Sequence, residues 1–327
     1  MKRFFGIIVS LILCVISGFS LFGCGENPDV IRVYMPDGAP ALSMAKLMHD
    51  NNQFGKKVEY TVVRATDISQ CIIQQTADVA VLPVNAASKL IATGEKYKMI
   101  ATVTHGNVYI VGNKYISSLS DLVGERVGII GAGMVPDLTL SYLLSSQDIA
   151  IERELVDSAN AGKVTLWDCV DATTLIQKLM QGQLSFGLLP EPAVSTLLTK
   201  SANFHIELDI QALWQGGSYP QAVMVAKAEL CQNTEFIGNL LSAMIDNEEW
   251  VVANSSAAVT AINAHVLENV TPSLKTDIAS TAIVNCNIKV NKMTSAEIAN
   301  VKEYLNAIKT INSMAVGNYT DAMFYEV

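Results

Sequence analysis

Asp78-Val79-Ala80-Val81-Leu82-Pro83-Val84-Asn85 holds the pattern that decides the fold. An apolar run ends in Leu-Pro, and a helical pattern opens directly after it. The same grammar returns at Ser185-Phe186-Gly187-Leu188-Leu189-Pro190-Glu191-Pro192, with Leu189 lying 107 residues after Leu82. An apolar run this short suits a strand covered on both faces, as in a parallel sheet. Pro fits the strand end because it has no N–H to give to the ladder. The interval is too long for a solenoid repeat, whose period is about 20–50 residues. It suits one small α/β lobe. Two such lobes would set their strand-end loops opposite each other, and ligands of open α/β sheets bind beyond the carboxyl ends of the strands.

Alternating elements extend outward from both stretches. Residues 30–35 read as a strand, followed by the turn Pro36-Asp37-Gly38-Ala39-Pro40. Ala41, Met44, Ala45 and Met48 form the apolar face of one helix. A strand over 57–63 leads to Asp67, an N-cap for a helix that turns Ile68 and Ile72 inward. Strands follow near 99–103 and 108–111. The second run has a strand at 126–130, the turn Gly131-Ala132-Gly133-Met134-Val135-Pro136, and a helix carrying Leu138, Leu143 and Leu144. Residues 145–163 read as a loop or a short excursion, with room for a short strand. A strand at 164–169, a helix at 172–181, strands at 186–189 and 204–208 and a helix at 191–200 complete this run. The chain then returns through a strand at 219–226. A long helix at 234–252 follows, then helices near 256–267, 274–283 and 295–308. Such alternation argues for parallel sheets flanked by helices. The expected organisation is one lobe from residues 25–112 and 221–327, with 113–220 inserted as the second. Crossings near Gly112–Ser118 and Gly217–Gln221 would make a two-stranded hinge, the arrangement that lets lobes close on a ligand.

The N-terminus sets the address. Lys2 and Arg3 precede an apolar stretch over 4–22, and Leu21-Phe22-Gly23-Cys24 ends it. This resembles a bacterial lipoprotein signal. The resemblance implies that residues 1–23 are a signal peptide and that Cys24 carries the lipid. The body would then be extracytoplasmic and lipid-anchored to the bacterial cell membrane.

Composition narrows the function. Hydrophobic residues make up 50% of the 327 residues, enough for a large core. Formal charge is −9, and removing Lys2 and Arg3 with the signal would bring it to −11. An acidic body repels phosphate backbones, so nucleic-acid binding is not expected. Cys71, Cys169, Cys231 and Cys286 match no zinc spacing, and both disulfides and buried free thiols stay open for them. His49, His105, His205 and His265 are scattered, without metal-ligand spacing. No Gly-x-Ser-x-Gly elbow occurs. Neither a catalytic set, a metal site nor a cofactor is expected, and the chain is not read as an enzyme.

Met35-Pro36-Asp37-Gly38-Ala39-Pro40, the Asp78–Asn85 turn, Gly106-Asn107-Val108-Tyr109-Ile110-Val111-Gly112, Leu189-Pro190-Glu191-Pro192 and Tyr219-Pro220-Gln221-Ala222 together resemble one family. It is that of the ABC-importer solute-binding proteins, in the nitrate/sulfonate/taurine/thiamine-precursor group. The resemblance covers most of the chain after Cys24. It implies a periplasmic-binding-protein type II fold, two α/β lobes joined by a two-stranded hinge. It also implies capture of a small organic solute between them, and delivery to an ABC permease and its ATPase. The alternative is an exported enzyme or precursor synthase on the same fold.

The candidate binding residues lie at strand ends. Asp37, Gly38 and Ala39 occupy the first such turn, and Gly133, Met134 and Val135 its counterpart. Small residues there let backbone N–H groups approach a ligand at a helix N-terminus. Gly131-Ala132-Gly133 also partly matches a dinucleotide fingerprint with Asp157 as ribose partner, but Pro136 stands where the third Gly belongs. Asn85 and Glu191 follow the two Leu-Pro turns and serve equally as helix caps or ligand contacts. Thr66 and Asn107 are polar residues expected to face the cleft. Helix N-termini would suit a sulfonate or nitrate-like anion. Glu191 and Asp37 suit an amine-bearing ligand, such as a thiamine-precursor-like heterocycle.

Overall fold

The apolar run Val79–Leu82 is fully interior, and the reason lies in its neighbours. A computed structural model describes residues 30–94, 96–153 and 160–327. The signal segment, Cys24 and Asp157 lie outside the described residues. Ile31–Val327 is one compact unit, and it contains two six-stranded sheets.

The chain begins with β1 (Val30–Pro36), α1 (Ala39–Leu42), α2 (Ala45–His49), β2 (Lys57–Val63), α3 (Ile68–Ile73), β3 (Val79–Pro83), α4 (Val84–Ala92) and β4 (Tyr97–His105). It continues through β5 (Val108–Gly112), β6 (Arg126–Ile130), α5 (Val135–Ser145), β7 (Ile151–Glu152), β8 (Val164–Cys169), α6 (Ala172–Met180), β9 (Phe186–Pro190), α7 (Ala193–Lys200), β10 (His205–Asp209) and α8 (Ile210–Leu213). β11 (Pro220–Lys227), α9 (Thr234–Ala253), α10 (Ser255–Asn263), α11 (Ser280–Asn285), β12 (Ile288–Lys292) and α12 (Ser295–Ile311) end it.

The first sheet has the order β12-β4-β11-β3-β1-β2 and the second β10-β5-β9-β6-β8-β7. The repeat seen in the sequence is therefore a repeat of topology. β3 lies between parallel β1 and antiparallel β11, and β9 lies between parallel β6 and antiparallel β5. A strand paired on both edges and covered on both faces reads as an unbroken apolar run. That is why β3 and β9 carry the plainest signal. Asp78 anchors the start of β3 by accepting from Arg32 N at 2.8 Å and pairing with Lys227 Nζ at 2.8 Å.

One expected boundary needs correction. β5 belongs to the second sheet, paired with β9 and β10. The chain therefore crosses at Gly106-Asn107, ahead of the expected Gly112–Ser118. β4 and β5 are both buried along most of their length, so apolarity alone does not separate them. The return strand β11 pairs with β4 and β3 as the first sheet requires. The crossings touch, since Gly106 N donates to Tyr219 O at 2.9 Å.

Among the described residues, buried apolar side chains fall into three clusters. One packs α1, α2, α9 and α10 on the first sheet. Another packs α6 and α7 on the second. There α6 lies close because β6 and β9 present Gly128 and Gly187; a Cβ on Gly128 would stand 2.2 Å from Leu175 Cδ1. The third runs across both sheets and includes Leu82, Val108, Phe186, Tyr219 and Tyr304. Cys71, Cys169, Cys231 and Cys286 are free thiols.

Candidate functional site

Both Leu-Pro turns end beside the crossing strands. Pro83 stands opposite Ala222 of β11, and Pro190 stands opposite Val108 of β5. The residues just past the two prolines are thereby placed at the same junction, from opposite sheets.

Asn85 sits in the first turn of α4 and is only 4% exposed. Its Nδ2 donates to Gly133 O at 3.5 Å and to Ala315 O at 3.4 Å. Two carbonyl acceptors fix which end of the amide is nitrogen. They leave Asn85 Oδ1 buried without a donor. An orphaned buried acceptor is uncommon and calls for an explanation.

Glu191 is 2% exposed. Its carboxylate accepts from Ser195 N at 3.1 Å and Ser195 Oγ at 2.9 Å, in the first turn of α7. It also accepts from Asn285 Nδ2 at 3.5 Å, a residue of the α11 end near the first sheet. Burial pushes the Glu191 carboxyl above its usual range, and the hydrogen bonds from Ser195 and Asn285 only partly oppose this. Among the described residues, no lysine, arginine or histidine forms an ion pair with it. The expected capping role and a place facing the other sheet thus coexist in one side chain.

Asn107 joins the group. Its carbonyl accepts from Glu191 N at 3.0 Å, and its own N–H donates to Gln221 Oε1 at 3.2 Å. Asn107 Oδ1 is buried without a partner. Gln211 holds the next residue, accepting from Val108 N at 3.0 Å. Tyr109 OH reaches Asn285 O at 3.4 Å. Burial, with Asp209 and Glu191 nearby, raises the pKa of that phenol.

The other strand-end turns have internal partners. Asp37 Oδ1 accepts from Gly38 N at 2.9 Å, and Oδ2 accepts from Ser273 N at 2.6 Å. Gly38 has φ 103°, a conformation that glycine tolerates. Ala39 is buried in the short α1. Gly133 N donates to Asp137 Oδ2 at 2.7 Å, and Ala132 N to Asp168 Oδ1 at 3.3 Å. Asp137 is 1% exposed and held by Arg153, at 2.7 and 3.0 Å. Met134 is half-buried and Val135 buried. Thr66 is exposed, and its hydroxyl donates to Asp67 Oδ1 at 3.0 Å. Arg64 pairs with the same Asp67 at 2.9 Å.

The structure therefore brings Asn85 to Gly133, and Glu191 to Asn107. Among the described residues, no hydrogen bond joins Asp37, Gly38, Ala39 or Thr66 to Asn85 or Glu191. Sequence reading missed Asn285, Gln211 and Gln221, which come from segments distant along the chain. Asp137 was more accessible: an acid in the first turn beside Pro136 is a helix-start signal. Among the described residues, no three His, Cys, Asp or Glu side chains gather as a metal site.

Comparison with known proteins bears on the fold. No family profile matches the chain, and no curated protein does. Solved structures do. An ABC transporter from Parabacteroides distasonis matches with TM-score 0.73 and 21% identity, over 91% of this chain and 99% of that one. The periplasmic aliphatic sulphonate binding protein SsuA from Escherichia coli matches with TM-score 0.67 and 12% identity, over 90% and 91%. The ligand-binding component of an ABC-type import system from Staphylococcus aureus, solved with zinc bound, matches with TM-score 0.64 and 13% identity, over 91% and 96%. At these identities the likeness is one of fold. The chain has the two-sheet α/β periplasmic-binding-protein fold of those binding proteins.

Proposed function

We propose that this chain is the extracytoplasmic solute-binding component of an ABC importer. It captures a small organic solute between two lobes and delivers it to a membrane permease, without catalysis. One lobe comprises residues 31–105 and 220–327, the other 108–209. The observation that carries this reading is the junction at Asn85 and Glu191. Two strand-end turns from separate sheets lie beside a two-strand crossing; Asn85 reaches Gly133 in the turn after β6, and Glu191 reaches Asn285 at the end of α11. A cleft flanked by a hinge is the geometry that lets lobes close around a ligand. One neighbour of like fold is named as the ligand-binding component of an ABC-type import system and another as a periplasmic sulphonate binding protein, which supports the same role here. The lipoprotein-like N-terminus supports an anchor at Cys24.

The test is mass spectrometry of small molecules released from the purified, denatured protein, followed by titration of the released compound. A stoichiometric solute that rebinds and compacts the protein in small-angle scattering supports the proposal. If no solute is released and none from a broad thermal-shift screen stabilises the protein, the proposal fails.

A further inference from the structure

The carboxylates around the cleft share an arrangement. Three turns offer backbone N–H groups where an anion could dock, and each already carries an internal carboxylate. Asp37 takes Gly38 N, Asp137 and Asp168 take Gly133 N and Ala132 N, and Glu191 takes Ser195 N. A first-turn N–H of α7 is thus taken from within, and so are the two N–H groups of the turn that leads into α5. These N–H groups, which an anion would use, are filled by the protein's own acids.

The acceptors, by contrast, are in excess. Asn85 Oδ1 is buried and unpartnered in a side chain 4% exposed, and its amide orientation is fixed by two carbonyls of which one belongs to the facing turn. Glu191 is buried without a cation among the described residues. A buried acceptor without a donor costs free energy that a ligand can recover by supplying the missing hydrogen.

Resting on the solute-binding reading above, we infer that the cleft selects a ligand whose buried head donates hydrogen bonds and is cationic or neutral: an amine, an amidinium or an aminoheterocycle. Sulfonate- and nitrate-like anions are rejected. A cationic head would face Glu191 and share the charge-assisted bond that Asn285 now makes weakly at 3.5 Å. Asn85 Oδ1 would take a second N–H, and the acidic body would steer such ligands inward. An anion entering there would meet Glu191, which has no ion-pair partner among the described residues, and the orphaned Asn85 Oδ1; Arg153 is already engaged by Asp137 and Arg64 by Asp67.

The experiment screens the full-length chain, purified in detergent, against two solute series by thermal shift. One series holds primary amines, amidines and aminoheterocycles; the other holds sulfonates, carboxylates and nitrate. The best binder is then titrated into Glu191→Gln and Asn85→Ala. Stabilisation by the donor series is expected, with each variant binding roughly 5- to 150-fold more weakly. If Glu191→Gln does not fold, Asn85→Ala carries the test. Stabilisation by the anion series alone overturns this inference and leaves the solute-binding reading standing. A donor ligand whose affinity neither variant changes also overturns it, since these residues then do not read the ligand. Silence in both series overturns the solute-binding reading itself, and this inference with it.

Discussion

Asn85 Nδ2 stands 3.5 Å from Gly133 O, so the turn that ends β3 in one sheet touches the turn that ends β6 in the other. The second contact of that amide, to Ala315 O, adds the segment after α12 to the junction. Both bonds are long, at the edge of ordinary hydrogen-bond length. The contact to Gly133 is one that a modest opening of the sheets would break at small cost.

The tighter tie between the sheets lies further back. Thr139 Oγ1 donates to Val135 O at 2.7 Å within α5, so its 2.7 Å contact with Tyr304 OH is accepted from the tyrosine. Tyr304 is fully buried on α12, stacked on Tyr219 with ring centroids 5.2 Å apart. Tyr304→Phe keeps the stack and removes the one bond. It is expected to lower stability by about 1–1.5 kcal/mol, read as a lower urea midpoint with unchanged slope. No change in midpoint would show that the bond contributes nothing net.

Gly106 is the crossing residue that leaves no room for a side chain. A Cβ there would lie 2.5 Å from Tyr219 Cε1 and 2.8 Å from Gln211 Cβ. Gly106→Ala should therefore displace Tyr219 or part the crossings, at a cost of about 1–3 kcal/mol. Calorimetric melting together with scattering is the check. An alanine variant with wild-type melting and wild-type dimensions would show that this spot is slack.

Glu191 gives stability a pH dependence of defined sign. Its folded pKa is raised, so the folded state holds its proton more tightly than the unfolded chain does. Stability from this group is greatest in acid and falls as pH rises from the unfolded carboxyl value towards the folded one, then levels off. Glu191→Gln lacks that fall. The stability of the variant minus that of wild type should therefore increase from acid to neutral pH. A difference that stays flat or decreases would reverse the assignment.

The proposed lipid anchor rests on a single thiol. Cys24→Ala should release the protein from membranes while leaving the thermal transition of the folded body unchanged. Continued full membrane retention, checked by fractionation and immunoblot, would replace the lipid anchor with an uncleaved apolar segment.

How far the sequence revealed this molecule depended on burial. β3, β8 and β9 are interior strands, and their apolar runs end within about one residue of the observed limits. The N-terminus of the long α9 was equally plain, with Asn233 capping Phe236 N. β12 went unread because it is an edge strand of five residues with two lysines and an asparagine. Its signal was the alternation of Ile288 and Val290 after Asn287, whose φ of 50° turns the chain. One expected helix over 41–48 is two, α1 and α2, since its apolar face runs unbroken past Ser43 while the backbone does not. At the site, Asn85 and Glu191 were visible as residues after Leu-Pro. What they touch was not, because Gly133, Asn285 and Ala315 come close only once both sheets exist.

The placement of β11 has a bearing on assembly during synthesis. All six strands of the second sheet, β5 to β10, are contiguous in the chain, so that sheet can close as soon as its residues emerge. The first sheet cannot. β3 and β4 never pair directly; both wait for β11 to fill the gap between them. Until then the two strands present bare edges, the sort of surface that invites wrong pairing. Non-local pairing of this kind is slow. The inserted sheet is thus expected to mature first, and pulsed hydrogen exchange during refolding should protect Ile110 and Leu188 amides before those of Val81 and Met224. Simultaneous protection would mean that the two sheets condense in one step.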